Sequence, residues 1–236
     1  MRAKSTLKCK AGSKKQKQQT RILLVDDHPL VREGLTTLFH ATPDLRVVDE
    51  AGSAEAAIEL LQVRLPDLAM IDLALPGKDG LDLIKMIRDT YPTLRMIVLS
   101  MHEETLYAER VLRAGAHGYI MKDMLGPQIV EAVRSVLRGE IFVSPAISSR
   151  MLRQILDRDS PPPPSDDVES LSDRELQVFL CLGSGLSSKE IAARLGLNIK
   201  TIQTYREHIK HKLRLRNATD LVHFATQWSK DKSARS

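Results

Sequence analysis

The chain has no run of 18 apolar residues, so no membrane-spanning helix is expected. Cysteine is scarce. Cys9 and Cys181 lack the paired spacing of a metal site, which argues against structural zinc and against a disulfide scaffold, and fits a reducing cytoplasm. The basic opening segment has no apolar stretch behind it, so it does not read as a secretory signal. With 42% apolar and 28% charged residues, the chain is neither collagen-like nor wholly disordered. Its 236 residues allow one large domain or two small ones.

What is present is unevenly placed. The net charge is only +5, but residues 1–19 hold seven Lys/Arg and no acid. Residues 20–140 hold 13 basic and 19 acidic residues, whereas residues 170–230 hold 10 and 5. An acidic block followed by a basic one predicts two domains with different partners, the second suited to an anionic polymer.

The pattern along the chain supports that division. Residues 1–19 lack apolar periodicity and read as a basic disordered arm. Residues 20–140 hold short apolar runs at Ile22–Val25, Arg46–Val48, Leu68–Ile71, Met96–Leu99 and Tyr119–Met121. Helical patterns follow them, at roughly 29–41, 53–64, 80–90, 104–114 and 126–138. Five βα units predict a doubly wound α/β fold, a five-stranded parallel sheet with helices on both faces. Residues 141–167 read as a linker. Ile147, Met151, Leu152 and Ile155 give it a short helical stripe, and Pro161–Pro164 form an extended spacer. Residues 168–230 read as a small all-α domain of four helices, with a capping box at Ser172 and Glu175. Residues 231–236 form a tail.

In an open α/β sheet, ligand groups gather beyond the carboxyl ends of the strands. Here the first strand delivers Asp26 and Asp27, the third Asp72, the fourth Ser100 and the fifth Lys122. Carboxylates so placed repel one another, and a hard divalent cation, Mg²⁺ (or Mn²⁺), resolves the repulsion. Such a set suits phosphoryl transfer to a carboxylate. Asp72 is the nucleophile, Asp26 and Asp27 hold the metal, and Ser100 and Lys122 grip the phosphoryl oxygens. His28 reads as a loop histidine, and Pro76–Gly80 as a tight turn rather than a phosphate loop. A phosphotransferase of the haloacid dehalogenase type is the rival. It calls for an acid two residues after the first-strand aspartate, where this chain has His28.

The stretches LLVDDHPLVREGL, PDLAMIDLALPGKDGLDLI, IVLSMHEE and GAHGYIMKD resemble the receiver domain of bacterial two-component response regulators. The resemblance implies a CheY-like (flavodoxin-like) fold and phosphorylation of Asp72 by a sensor histidine kinase. It implies Mg²⁺ bound by Asp27, Asp72 and the backbone carbonyl of Ala74, with Asp26 acting through water. Ser100 and Tyr119 match the family's switch pair, and Lys122 its lysine. Leu75 departs from the usual Met before Pro76.

In the basic block, Ile202, Tyr205, Ile209 and Leu213 share one face of the third helix. Lys200, Gln203, Thr204, Glu207, His211 and Arg214 lie opposite. With the preceding helix and the break at Leu195–Asn198, this describes a helix-turn-helix. Gln203 and Glu207 suit base edges, while Lys189, Lys210, Lys212 and Arg214 suit phosphates. Periodicity alone leaves a protein-docking module as an equal alternative. LSDRELQVFLCLGSGLSSKEIAARLGLNIKTIQTYREHIKHKL, however, resembles the LuxR-type helix-turn-helix, as joined to receivers in the NarL/FixJ class. Lys189, Thr201 and Lys212 fall on family-typical positions, whereas Asn198, Gln203 and Tyr205 depart from them. The implied function is a cytoplasmic transcriptional regulator controlled by phosphorylation, not an enzyme beyond assisting its own Mg²⁺-dependent phosphorylation and dephosphorylation. The implied partners are a sensor histidine kinase, double-stranded DNA and a second copy of the phosphorylated chain. RNA polymerase is a further candidate, and no membrane is involved.

Overall fold

The computed structural model describes residues 19–76, 80–101, 104–156 and 167–233. The expected basic arm up to residue 18, the Pro161–Pro164 spacer, residues 77–79 of the expected turn and the last three residues lie outside the described residues.

Five strands, β1 (Thr20–Val25), β2 (Leu45–Ala51), β3 (Leu68–Asp72), β4 (Arg95–Ser100) and β5 (Gly118–Met121), alternate with five helices. These are α1 (Pro29–His40), α2 (Ala54–Val63), α3 (Gly80–Thr90), α4 (Glu104–Ala114) and α5 (Gly126–Leu137). All strand pairs are parallel, in the order β2-β1-β3-β4-β5. The apolar runs are continuous because both faces are covered. Ile22 and Leu24 pack with Phe39 of α1 and Val133 of α5. Leu23 and Val25 point the other way, towards Leu61 of α2, Ile84 of α3 and Val111 of α4.

β2 is longer than its apolar core at Arg46–Val48 suggests, because it is an edge strand and carries polar residues at its end. Its register against β1 shifts between Ile22 and Leu23, which leaves Val48 unpaired as a bulge. Glu50 then accepts from Arg32 Nε at 3.2 Å and Thr36 Oγ1 at 2.9 Å, tying the edge to α1.

The linker forms α6 (Pro145–Leu156), which docks on α4. Arg150 Nη1 donates to the Thr105 carbonyl at 3.4 Å, and the Ser144 amide donates to Glu104 Oε1 at 2.7 Å. Ile147 is buried and Met151 packs on the core. Leu152, expected in the same stripe, is 60% exposed. One residue after Met151, it is turned about 100° away around the helix.

A short 3-10 turn (Asp167–Ser170) leads into α7 (Asp173–Gly183), α8 (Ser188–Leu195), α9 (Ile199–Lys212) and α10 (Ala218–Ser233). The capping box expected at Ser172 forms, and two further helices are capped in a similar way. Ser172 accepts from the Glu175 amide, Ser187 from the Glu190 amide and Asn198 from the Lys200 amide. Gly196 closes α8 in the left-handed region at φ 63°. The third of these helices, α9, stops at Lys212, and Arg214 just beyond it turns to φ 53°. The fourth runs beyond Trp228 to Ser233. Phe179 is the centre of this core, 5.9 Å from Phe224 and edge-on to Trp228 at 5.6 Å. Gly183 does more than end α7. A Cβ there would lie 2.2 Å from Ser229 Oγ and 2.7 Å from the Ala225 carbonyl oxygen, so only glycine admits α10 this closely.

Candidate functional site

The strand order reverses at β1. The chain leaves β1 for β2 on one side and then crosses back to β3 on the other. That reversal opens a crevice at the carboxyl ends of β1 and β3. Val25 pairs with Ile71, so Asp26 emerges beside Asp72. Ser100 pairs with Met121, and the Lys122 amide donates to the Ser100 carbonyl at 2.8 Å. Four strand ends thus bring Asp26, Asp27, Asp72, Ser100 and Lys122 to one rim.

Asp26, Asp72 and Lys122 form a buried triad. Lys122 Nζ stands 2.6 Å from Asp26 Oδ2 and donates to Asp72 Oδ2 at 2.8 Å. The Ala74 amide donates to Asp72 Oδ1 at 3.0 Å. Asp72 is 1% exposed, and its burial pushes the carboxyl above the ordinary range. Bonds from Lys122 and Ala74 oppose that push, and the Asp26 charge adds to it. Burial pulls Lys122 down, but its two carboxylate partners outweigh it and hold the ammonium above its usual value. The lysine is therefore a fixed positive charge. Ser100, at the rim, and Tyr119, which pairs with Val98 further down the sheet, are both buried.

Two residues join the site that the sequence does not assign to it. Arg32 Nη1 donates to the Asp26 carbonyl at 2.6 Å, pinning the loop after β1 from one turn into α1. His28, read as a loop histidine, places Nδ1 2.7 Å from Asp27 Oδ1, and its amide donates to Asp26 Oδ1 at 2.8 Å. Ligand atoms of Asp26, Asp27, His28 and Asp72 all lie within 4.8 Å of one another. Asp27 Oδ1 and Asp26 Oδ2 are buried without an aligned hydrogen bond, although His28 and Lys122 respectively stand beside them. Crowded carboxylate oxygens of this kind fit a hard divalent cation.

In the helical domain, Ile202, Ile209 and Leu213 are buried as the wheel predicts, and Tyr205 is half-buried. They pack with Ile191 and Ala192 of α8. Lys200, Gln203, Thr204, Glu207 and His211 are exposed along the outer face of α9, with Thr201 half-buried at its start. Lys189 at the start of α8 and Arg214 after α9 are exposed too. Arg206 Nη1 donates to Ser188 Oγ at 2.9 Å, bracing the two helices. Two of the expected phosphate contacts are engaged inside the domain. Lys210 Nζ is 2.8 Å from Glu207 Oε2, and Lys212 Nζ donates to the buried Glu175 Oε2 at 2.6 Å.

Comparison with known proteins matches both halves. Residues 22–134 match the response regulator receiver domain family, and residues 169–225 match the bacterial regulatory proteins of the luxR family. The oxygen regulatory protein NreC of Staphylococcus carnosus is 32% identical over 208 residues, spanning 87% of this chain and 96% of NreC. A structure of RcsB from Salmonella enterica serovar Typhimurium, bound to promoter P1flhDC with the phosphomimetic BeF₃⁻, aligns with a TM-score of 0.63 and 27% identity. That alignment covers 89% of this chain and all of RcsB. A LuxR-family two-component response regulator from Aurantimonas aligns with a TM-score of 0.54 and 34% identity, over 59% of this chain and 99% of that one.

Proposed function

The chain belongs to the two-component response regulators, with a receiver and a LuxR-type DNA-binding domain, and from that premise we propose that Asp72 is its phosphoacceptor and α9 its DNA reader. The observation that carries the first half is Lys122 bridging Asp26 and Asp72 at 2.6 and 2.8 Å on a rim of crowded carboxylates. A carboxylate oxygen of Asp72 attacks the phosphorus of a phosphohistidine on the sensor kinase. The new O–P bond forms as the P–N bond breaks, and the electron pair leaves with the imidazole. Lys122 keeps its proton and faces the charge that grows on the phosphoryl oxygens. Ser100, at the end of the neighbouring strand, supplies a hydroxyl to the same group. Asp26, Asp27, Asp72 and the Ala74 carbonyl are the groups that would hold Mg²⁺ or Mn²⁺. That ion, when bound, neutralises the carboxylates and the incoming phosphoryl oxygens. Water attack on the acyl phosphate in the same site reverses the modification.

The exposed outer face of α9 enters the major groove. Gln203 and Glu207 meet base edges, and Lys189, Lys200 and Arg214 face phosphates. Thr201, Thr204 and His211 lie on the same face, and Lys210 and Lys212 join the phosphate contacts when they leave their carboxylates. RcsB, which aligns over nearly the whole chain, is bound to promoter DNA. The output is transcription control in the cytoplasm, by a dimer on an inverted repeat, with Ser100 and Tyr119 passing on the phosphorylated state.

The test is labelling with a small acyl phosphate and Mg²⁺, followed by mapping of the modified residue. Asp72 should carry the group, and DNA retention should rise after labelling. Modification at another residue overturns the assignment.

A further inference from the structure

His28 is the N-cap of α1, yet its side chain makes no capping bond. Ser, Thr, Asp and Asn are the residues that satisfy a helix start from that position. Here the imidazole turns back to the rim instead, with Nδ1 3.2 Å from Asp26 Oδ1 and 2.7 Å from Asp27 Oδ1. The backbone that carries it is fixed on both sides. Arg32 holds the Asp26 carbonyl, and the His28 carbonyl accepts from the Val31 and Arg32 amides at 3.2 and 3.3 Å. Pro29, with its locked φ, follows at the start of the helix. We propose that His28 is a further ligand at this rim, and that its imidazole makes the rim prefer a divalent transition ion, Zn²⁺ above all, to Mg²⁺. This rests on the reading of the rim as a cation site given above.

Spacing supports ligation. Around an ion with bonds of about 2.0–2.2 Å, neighbouring donors stand about 2.8–3.6 Å apart, the short limit for six ligands and the long one for four. The two His28 distances, 2.7 and 3.2 Å, are already close to that spacing. Asp72 completes a set of four residues, each with a ligand atom within 4.8 Å of the others. Lys122 engages Oδ2 of Asp26 and of Asp72, whereas His28 approaches Oδ1 of Asp26 and of Asp27. The ammonium and an ion beside His28 therefore use different oxygens of Asp26. The His28 side chain is 61% exposed and that of Asp27 33%, so an ion reaches both from solvent.

The donor set decides which ion gains. Mg²⁺ is hard, takes oxygen ligands and keeps several waters, so an imidazole adds little to its binding. Zn²⁺ takes imidazole nitrogen and carboxylate oxygen alike. The three carboxylates serve both ions, and His28 is the member of the set that serves only the second. A hydrogen bond from Nδ1 to Asp27 gives a similar distance. The two roles differ in what an asparagine replaces: its side-chain amide can donate that bond but supplies no imidazole nitrogen.

The test uses the full metal-free chain with Mn²⁺ as reporter, because bound Mn²⁺ loses the electron paramagnetic resonance signal of the free ion. Asp27→Ala should weaken Mn²⁺ binding, which places the reporter at the rim. Zn²⁺ and Mg²⁺ are then titrated separately against it in wild type, His28→Ala and His28→Asn. Wild type should release Mn²⁺ at about a hundredfold lower concentration of Zn²⁺ than of Mg²⁺. Both His28 variants should lose about tenfold in Zn²⁺ affinity and keep their Mg²⁺ affinity within about twofold. Co²⁺, whose visible spectrum responds to nitrogen ligation, should give a changed spectrum in both variants. Wild-type Zn²⁺ affinity in His28→Asn would show that the bond to Asp27 suffices, and equal losses of both ions would show that His28 only positions carboxylates. Either result, or a wild type that does not prefer Zn²⁺, overturns the proposal. If Mn²⁺ does not bind, or binds Asp27→Ala as well as wild type, the cation-site reading itself fails and takes the role of His28 with it.

Discussion

Asp72 and Gln203 mark two opposite ways of placing a functional group. Asp72 is buried at a strand end, held by Lys122 and the Ala74 amide, with its carboxyl shifted by its surroundings. Gln203 stands exposed on the outer face of α9, where no neighbour has to prepare it. The receiver concentrates chemistry by burying charge that must then be compensated. The helical domain displays polar groups on a surface whose apolar back, Ile202 and Ile209, fixes their direction. A substitution in the first site should therefore be all-or-none or strongly destabilising. In the second it should be local and graded.

The sharpest way to break that contrast is Asp72→Asn. The amide is nearly isosteric but cannot form an acyl phosphate, so labelling by a small acyl phosphate should vanish while far-ultraviolet circular dichroism stays unchanged. Residual labelling at the wild-type rate would remove Asp72 from its role. Lys122→Met should be the most destabilising change at the rim. It leaves Asp26 and Asp72 buried without their cation, a loss of about 3 kcal/mol in metal-free buffer. Millimolar Mg²⁺ should recover more stability in this variant than in wild type, as read by thermal melting. A melt unaffected by the substitution would mean that the triad is not a charge-compensated unit.

Much of this contrast is legible in the sequence, for physical reasons. Runs such as Leu68–Ile71 are apolar on both sides because both faces of the sheet are covered, so strand ends can be read off and their carboxylates placed together. The helix caps at Ser172, Ser187 and Asn198 are local and equally readable. Edge strand β2 is only half readable, because Asp49 and Glu50 are satisfied by other elements, Arg64 at 3.6 Å from Asp49 and α1 around Glu50. The same limit hides His28 and Arg32, whose role depends on where the loop after β1 folds back. It hides altogether the ion pairs of α7 with α3 and α4, since Asp82, Lys85 and Arg110 are 63 to 92 residues from their partners Asp173 and Arg174. Lys212 shows the converse. Its position and charge suggest a phosphate contact, but only the fold reveals Glu175 beneath it.

Within the helical domain the comparison sharpens between back and front. Gly183→Ala inserts a methyl group against the Ala225 carbonyl and Ser229 and should cost about 1–3 kcal/mol by overpacking. Trp228 is the chain's single tryptophan and packs on Phe179, so its fluorescence reports this domain alone during urea unfolding. Gln203→Ala on the front should leave that unfolding curve in place. It should instead cost about 1–3 kcal/mol at one base-pair position, sparing nonspecific binding. A uniform loss over random duplexes would show that Gln203 is not a reader.

The smallest expected effect lies where the two styles meet, at Glu175, a buried carboxylate within the displaying domain. Burial pushes its carboxyl up, but bonds from Lys212 and Ser172 outweigh that and hold it below the ordinary carboxylate range. A folded-state value below the unfolded one means that the unfolded chain binds its proton first as pH falls. The stabilisation is therefore complete above the unfolded value, about 4.3 for glutamate, and is lost as pH falls through the lower folded one. Glu175→Gln keeps the size and much of the cap but removes the charge opposite Lys212. Lys212 is 39% exposed, and solvent screening keeps the cost to about 1 kcal/mol at neutral pH. Urea unfolding followed by Trp228 fluorescence should show that gap at pH 7. It should narrow as pH drops below about 4 and close once the wild-type carboxyl is protonated. A gap that stays constant with pH would mean that Glu175 acts through packing and helix capping, and that its charge does not hold the end of α9.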